Sequence, residues 1–306
     1  MDPLEHLDLP WDTSLCLLRE LARRGHETVL FIPTDLGLSS RGTVYGSGRA
    51  IRPLGNDRYH QAPPQSYDLK NFDVVLIRKD PPFDASYLSL TYLLEPAARK
   101  TRVINHPRGI RNVNEKLFGL SFPQGSPPSL VTARADEILN FQKRIRSDLV
   151  IKPLYEKGGK GVFLVRRGGR GSRERLEKAT RKGNEFVIAQ KFIKVPRGTG
   201  DKRILLWKGE ILGAFSRVSR TVGEFRTNLS LGGRFLRTEI TRTEKKLVRS
   251  LAPLLLKEGL YFVGMDVRGG KLLEVNVTSP AGLVELDQLY HGKATVRLAD
   301  ALVRLK

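Results

Sequence analysis

The run Phe262-Val-Gly-Met-Asp-Val-Arg-Gly-Gly-Lys-Leu-Leu-Glu-Val-Asn-Val-Thr278 alternates polar and apolar residues on either side of a Gly-Gly pair. That is the pattern of a β-hairpin with one buried face. Val263, Met265 and Val267 point one way on the outgoing strand, and Leu273, Val275 and Val277 share a face on the return. If the two faces coincide, 263 opposes 277, 265 opposes 275 and 267 opposes 273. Such a register asks for an odd loop, Gly269-Gly270-Lys271. It sets Asp266 across from Glu274, with Asn276 one step along the same face. Three oxygen donors on one surface suit a hard cation such as magnesium, which binds one or two carboxylates together with substrate phosphates. A solvated hairpin face would carry the same alternation. Two bare carboxylates in opposition repel, and a cation would relieve them.

Outward from the hairpin, strands are expected over 203–207 and 210–215, joined at Lys208-Gly209, with helices over 243–258 and 291–305. The middle of the chain reads as strands over 149–154, 161–165 and 186–190 around a charged helix, 172–182, carrying a Glu174–Lys178 pair. Nearer the start, Leu15, Leu18, Leu21 and Ala22 define a helix over 13–25, capped by Thr13 or Ser14 and ended by Gly25. Strands over 26–33, 72–78 and 102–105 follow, with the polar stretch 34–71 as a connection. Helix and strand in alternation suggest an α/β layer with parallel pairing. The division is three units: 1–113, 114–194 and 195–306.

Composition narrows the function. Of 306 residues, 53 are Lys or Arg and 32 are Asp or Glu, a net charge of +21. That charge fits a nucleic-acid binder, or an enzyme of anionic substrates with a basic surface. The basic residues are spread along the chain and no zinc-finger, RRM or basic-zipper pattern occurs, so nucleic acid is not expected as a partner. The single cysteine, Cys16, excludes an intramolecular disulfide and a Cys-cluster zinc site. No apolar run approaches the ~20 residues of a membrane helix, and no signal-peptide pattern opens the chain. The expectation is a soluble, cytoplasmic protein with no membrane partner. Gly-x-Ser-x-Gly, P-loop and His-Glu-x-x-His motifs are missing, and the five histidines form no paired spacing. Covalent catalysis is unsupported, whereas phosphoryl transfer needs little beyond positioning and electrostatics.

Several cationic and glycine positions fit that chemistry. Lys152 sits inside an apolar strand, where a buried ammonium needs an anionic partner. Gly158-Gly159-Lys160-Gly161 offers backbone N–H groups to phosphates, or is a plain turn. Arg203 follows Asp201-Lys202, and Arg226, Asn228 and Arg234 lie in a glycine-bearing loop, a guanidinium set suited to planar anions or a solvated basic surface. Lys116, in Asn114-Glu-Lys-Leu-Phe118, carries no signal by itself.

Taken in order, Arg78-Lys-Asp-Pro-Pro-Phe-Asp84, Asn114-Glu-Lys-Leu-Phe118, Asp201-Lys-Arg203, Arg226-Thr-Asn-Leu with Gly232-Gly-Arg234, and Glu274-Val-Asn-Val-Thr-Ser-Pro280 make the chain resemble bacterial glutathione synthetases, ATP-grasp ligases, nearly end to end. The resemblance implies an α/β (α+β) protein of ATP-grasp architecture, with two α+β units clamping ATP beside an N-terminal domain. It implies ligation of γ-glutamylcysteine to glycine through an acyl phosphate, with Mg2+, or Mn2+ in its place, and a homo-oligomer. By the same resemblance Lys116, Lys152, Gly158 and Gly159 meet the phosphates. Gln190, Lys191, Phe192 and Ile193 hold adenine, and Asp201 lies in the same site. Arg203 and Arg234 stabilise charge at the reacting carboxyl. Arg226, Asn228, Gly232, Gly233, Thr278 and Ser279 bind substrate, and Asp266, Glu274 and Asn276 bind metal. Two departures stand out. The family places a short apolar strand, inside the N-terminal sheet, ahead of its Met-Asp-Pro, here residues 1–3. Its glycine loop opens on Asp-Gly, here replaced by Tyr155-Glu156-Lys157.

Overall fold

The computed structural model describes residues 1–55, 57–196, 198–221, 224–227 and 232–305. Helix α1 (Thr13–Arg23) buries Leu15, Leu17 and Leu18. Its cap is Asp12, which accepts from the Leu15 N–H at 2.9 Å, and not Thr13 or Ser14. Those hydroxyls serve other segments: Thr13 Oγ1 accepts from the Gly282 and Leu283 N–H groups, and Ser14 Oγ from Arg78.

The stretch 34–71, expected to be a connection, is largely sheet. β1 (Val29–Leu30), β2 (Leu36–Leu38), β3 (Val44–Gly55), β4 (Arg58–Gln61) and β5 (Gln65–Asp68) form one antiparallel sheet in which β3 pairs with each of the others. Parallel pairing is confined to β6 (Val74–Leu76) and β7 (Arg102–Ile104), linked through α2 (Ala85–Leu94) and followed by α3 (Pro107–Asn112). Residues of β1 and β6 line an apolar cavity of about 630 Å³. Met1 lines it too, and its α-ammonium, pulled down to about 6 by burial, donates to the Phe31 carbonyl at 2.8 Å.

The middle of the chain builds β8 (Ser129–Thr132), α4 (Ala135–Ile145), β9 (Leu149–Pro153), β10 (Phe163–Val165), α5 (Ser172–Ala179) and β11 (Val187–Lys191). Its antiparallel sheet runs β10-β9-β11-β8 and packs on α4 and α5 through Ile138, Leu149, Ile151 and Leu176. The ion pair along α5 is Arg173–Glu177.

The last unit holds β12 (Asp201–Trp207), β13 (Glu210–Val218), β14 (Arg234–Arg237), α6 (Arg242–Lys257), β15 (Phe262–Arg268), β16 (Lys271–Asn276), α7 (Leu283–Tyr290) and α8 (Lys293–Val303). Thr241 and Glu244 close a capping box on α6. The sheet order is β14-β13-β12-β15-β16. One face, with Ile204, Val263, Met265 and Val275, shares a core with α6 and with Tyr87, Leu90 and Leu94 of α2. The other, with Leu205, Phe215 and Phe262, packs on α7 and α8. Buried Asn105 ties the first unit to this sheet. Its amide donates to the Phe262 and Val277 carbonyls and accepts from the Tyr261 and Phe262 N–H groups.

The β15–β16 register is Met265 opposite Val275 and Asp266 opposite Glu274, as the alternation requires. Beyond Asp266 it shifts. Val267 faces Leu272, not Leu273, and the turn is the two-residue Gly269-Gly270, with φ of +55° and +72°. A turn with both central residues in the left-handed region matches strand twist, and a bulge on β16 absorbs the extra residue. Leu272 therefore enters the core, and Leu273 swings to the face of Glu274.

Candidate active site

The functional side chains rise from one face of the last sheet, at the end that α7 and α8 leave uncovered. β12 contributes Asp201 and Arg203, β13 contributes Arg217, and the hairpin contributes Asp266, Arg268, Glu274 and Asn276. Gly264 lies beneath them: a Cβ there would come within 3.3 Å of the Arg203 side chain.

Asp266 is the hub. Arg203 grips it with Nε to Oδ1 at 2.6 Å and Nη2 to Oδ2 at 3.1 Å, and Arg217 Nη2 reaches Oδ1 at 2.9 Å. All three are buried. Burial opposes the Asp266 charge, but the Arg203 and Arg217 guanidiniums outweigh it and hold the carboxyl well below the usual range. Arg203 Nη1 donates to the Ala281 carbonyl at 3.0 Å, so every nitrogen of that guanidinium has a protein acceptor. Arg217 Nε has none.

Glu274 is the opposite case. Burial pushes its carboxyl up, Lys116 pulls it down, and the Asp266 charge adds to the rise. Buried Lys152 is pulled down by burial and partly restored by Glu274. Lys116 Nζ donates to the Glu156 carbonyl at 2.6 Å, tying it to the glycine loop after β9. Lys157, in the same loop, pairs with Asp80 of the first unit. Asn276 Nδ2 donates to the Gly264 carbonyl at 3.3 Å, which turns its amide oxygen to the other side. Among the described residues no group of three or more His, Cys, Asp or Glu gathers as a metal cluster. The donor set here is two opposed carboxylates and one amide. A carboxyl raised by its neighbour's charge is a site that a hard cation would relieve, so the residues fit such an ion.

A cleft joins the middle and last units. Lys116, Lys152, Gly158 and Gly159 line it on the loop side, and Gln190, Lys191, Phe192 and Ile193 along the end of β11. Asp201, Arg226, Asp266 and Glu274 line it from the sheet side. Its free volume is about 100 Å³. Arg268 braces this edge: Nη1 binds Asp201 at 2.6 Å, Nε binds the Ile193 carbonyl at 2.8 Å, and the guanidinium lies 5.3 Å from the Phe192 ring centre. Asp201 also accepts from Thr227 at 2.8 Å. Arg226 pairs with Glu224.

Other expected residues stand apart from the cleft. Arg234 is exposed at the start of β14, opposite Val218, with exposed Gly232 and half-buried Gly233 just before it. Asn228 lies outside the described residues. Thr278 is buried and donates to Glu115, whose Oε1 also accepts from the Val277 and Thr278 N–H groups. Ser279 follows, half-buried. Arg217, Arg268, Leu273 and Glu115 were not anticipated as site residues. Strand alternation from Phe215 and from Asp266 would have exposed the first two.

A narrow cleft between two antiparallel units, floored by a carboxylate hairpin and roofed by a glycine loop with two lysines, is the arrangement of an ATP-grasp ligase. Solved structures of that fold superimpose on the chain. The ATP-grasp ligase PsnB with minimal precursor, Mg and ADP aligns over 95% of this chain and 93% of that one, with TM-score 0.62 and 17% identity. A RimK domain ATP-grasp protein from Sphaerobacter thermophilus covers 94% of each, at TM-score 0.58 and 18% identity. The chain belongs to the prokaryotic glutathione synthetase family. Residues 1–111 match its N-terminal domain and 115–291 its ATP-grasp domain. Glutathione synthetase of Brucella melitensis is 38% identical over 291 residues, 94% of this chain and 92% of that protein. That of Synechococcus elongatus is 38% identical over 321, covering 99% and 97%. The chain is an ATP-dependent ligase of glutathione synthesis, from a family that uses ATP and a divalent metal. Among the described residues no helix is long and apolar enough to cross a membrane.

Proposed function

We propose that the chain phosphorylates the cysteinyl carboxylate of γ-glutamylcysteine and passes the acyl group to glycine, with the roles that follow. The observation that carries the reading is the buried Asp266–Glu274 pair, held in register on the floor of the cleft that Lys116 and Lys152 also line. ATP lies with its base against the 190–193 segment and Leu273, and its phosphates against Lys116, Lys152 and the N–H groups of Gly158 and Gly159. Asp201, braced by Arg268, orients the nucleotide. A cleft of about 100 Å³ is below the ~300–1,000 Å³ of ligand sites, so the loop over 154–162 lifts to admit it. Asp266, Glu274 and the Asn276 amide would hold magnesium, or manganese in its place, which neutralises phosphate charge when bound.

The carboxylate oxygen attacks the γ-phosphorus and ADP departs. The glycine nitrogen then attacks the acyl carbon and phosphate leaves. Charge grows on the transferring group in both steps. Arg217, with a free Nε and a place on the cleft wall, meets that charge, and Arg203 acts through Asp266. Arg226, Asn228, Gly232, Gly233, Thr278 and Ser279 hold the dipeptide, and Arg234 closes over it. Residues 1–113, 114–194 and 195–306 act as substrate-side, lid and catalytic units. A homo-oligomer and a cytoplasmic setting are supported by the family resemblance alone. The test is ADP release with γ-glutamylcysteine, with and without glycine, alongside tripeptide formed. Release that ignores the dipeptide, or no tripeptide, would refute the reading.

A further inference from the structure

These roles leave one buried acid unassigned. Glu285, in the first turn of α7, is only 6% exposed, and its Oε2 is enclosed with no hydrogen-bond partner. Buried carboxyl oxygens are ordinarily paired. Helix α7 is fixed at its start by Thr13, and Leu283 and Leu286 go into the core. At 100° per residue that pair turns Glu285 to another side of the helix. The cations whose field it feels are Arg203 and Arg217. Both are already committed to Asp266. Burial raises the Glu285 carboxyl above its ordinary value.

What this pocket lacks is a small cation with N–H donors. The reaction brings one to the acyl carbon: the ammonium of the acceptor amino acid, which must lose a proton before it can attack. The dipeptide's own α-ammonium lies a residue's length from the reacting carboxyl, away from the Asp266-bound guanidiniums. The other carboxylates around the site are engaged. Asp201 is held by Thr227 and Arg268, Asp266 by two arginines, and Glu274 faces Lys116 and Lys152.

We propose that Glu285 binds the ammonium of glycine and takes its proton, acting as the base for the second half-reaction. The inference rests on the acyl-phosphate reading above. One proton moves from nitrogen to the Glu285 carboxylate, and the freed pair attacks the acyl carbon. The C–N bond forms and the C–O bond to phosphate breaks. The phosphate oxygen leaves with its electron pair, and the second nitrogen proton is taken up as hydrogen phosphate.

Hydroxylamine separates this role from a structural one, because it is uncharged near neutral pH and needs no base to attack an acyl phosphate. Wild type and Glu285→Gln are compared with ATP, magnesium and γ-glutamylcysteine, using glycine or hydroxylamine as acceptor. Loss of a general base costs on the order of a hundredfold or more, so tripeptide formation falls by that factor while hydroxamate formation stays within about threefold. Equal loss with both acceptors, or no loss with glycine, overturns the assignment. Should Glu285→Gln not fold, Glu285→Asp takes its place: a displaced base lowers glycine transfer and spares hydroxamate, and equal loss again overturns it. Wild type that forms neither product overturns the acyl-phosphate reading itself, an outcome separable from the failure of Glu285 alone.

Discussion

Arg203 and Arg217 both bind Asp266, yet replacing them should have different consequences. Breaking a buried ion pair by removing one partner costs about 3–5 kcal/mol. Arg203→Met removes the two-pronged grip and the bond to the Ala281 carbonyl, leaving Asp266 with a single contact to Arg217. It belongs in the upper half of that range. Arg217→Met removes one contact and leaves the Arg203 fork intact. It also removes a buried Nε–H without an acceptor, and such a group costs about 1–3 kcal/mol where it stands. The net loss is then about 1–2 kcal/mol. At roughly 2 °C per kcal/mol for a chain of this size, Tm falls by about 8 °C for Arg203→Met and about 3 °C for Arg217→Met. Activity should rank the other way for its cause: Arg217 lines the cleft, and loss of one charge-stabilising donor costs about a hundredfold in kcat. Thermal denaturation and phosphate release, measured on both variants and again in an Asp266→Asn background, check this. If Arg217→Met is as destabilised as Arg203→Met, or keeps full turnover, the account of the hub is wrong.

Glu274→Gln should lose turnover by at least about a hundredfold with no fall in Tm, because an uncharged side chain suits the metal-free hairpin; full activity would remove the metal role. Glu285→Gln should be more stable than wild type at pH 7. The folded-state carboxyl is raised, so the folded protein binds more protons than the unfolded one above the ordinary glutamate value of 4.5, and wild-type stability falls as pH rises through that window. The difference should vanish below pH ~4, in urea titrations across pH. At Gly109 a Cβ would lie 2.0 Å from the Glu258 carbonyl oxygen, so Gly109→Ala should cost about 1–3 kcal/mol by chemical denaturation.

The hairpin was legible because period-two alternation fixes which side chains share a face, and the Asp266–Glu274 opposition followed from that alone. The bulge beyond it was not, since a two-residue turn and a three-residue loop both fit Gly-Gly-Lys and only strand twist decides between them. Strand β3 was invisible for a different reason. Its inward positions include Gly46 and Gly48, where a Cβ would strike Leu36, Phe31 and Val29 within 2.7 Å. The neighbours' side chains supply the apolar surface that the strand itself does not display. Thr13 looked like the cap of its own helix and instead caps α7, a contact 269 residues away in sequence. Local composition cannot signal that. Lys116, silent as a sequence position, gains meaning only once the loop after β9 folds over it.

The middle sheet's separate core carries a consequence for cooperativity. Ile138, Leu149, Ile151 and Leu176 are buried among themselves, whereas the first and last units share one interior and the Asn105 clasp. The chain therefore holds two melting units of unequal size, with the nucleotide cleft at their seam. Without ligand, amides of β9–β11 should exchange as a group at lower opening free energy than those of β12–β16. A nucleotide seated across the seam binds only when both units are folded, so its binding free energy is added to the opening of the smaller one. Calorimetry would then record two transitions drawing together into one as ATP is added.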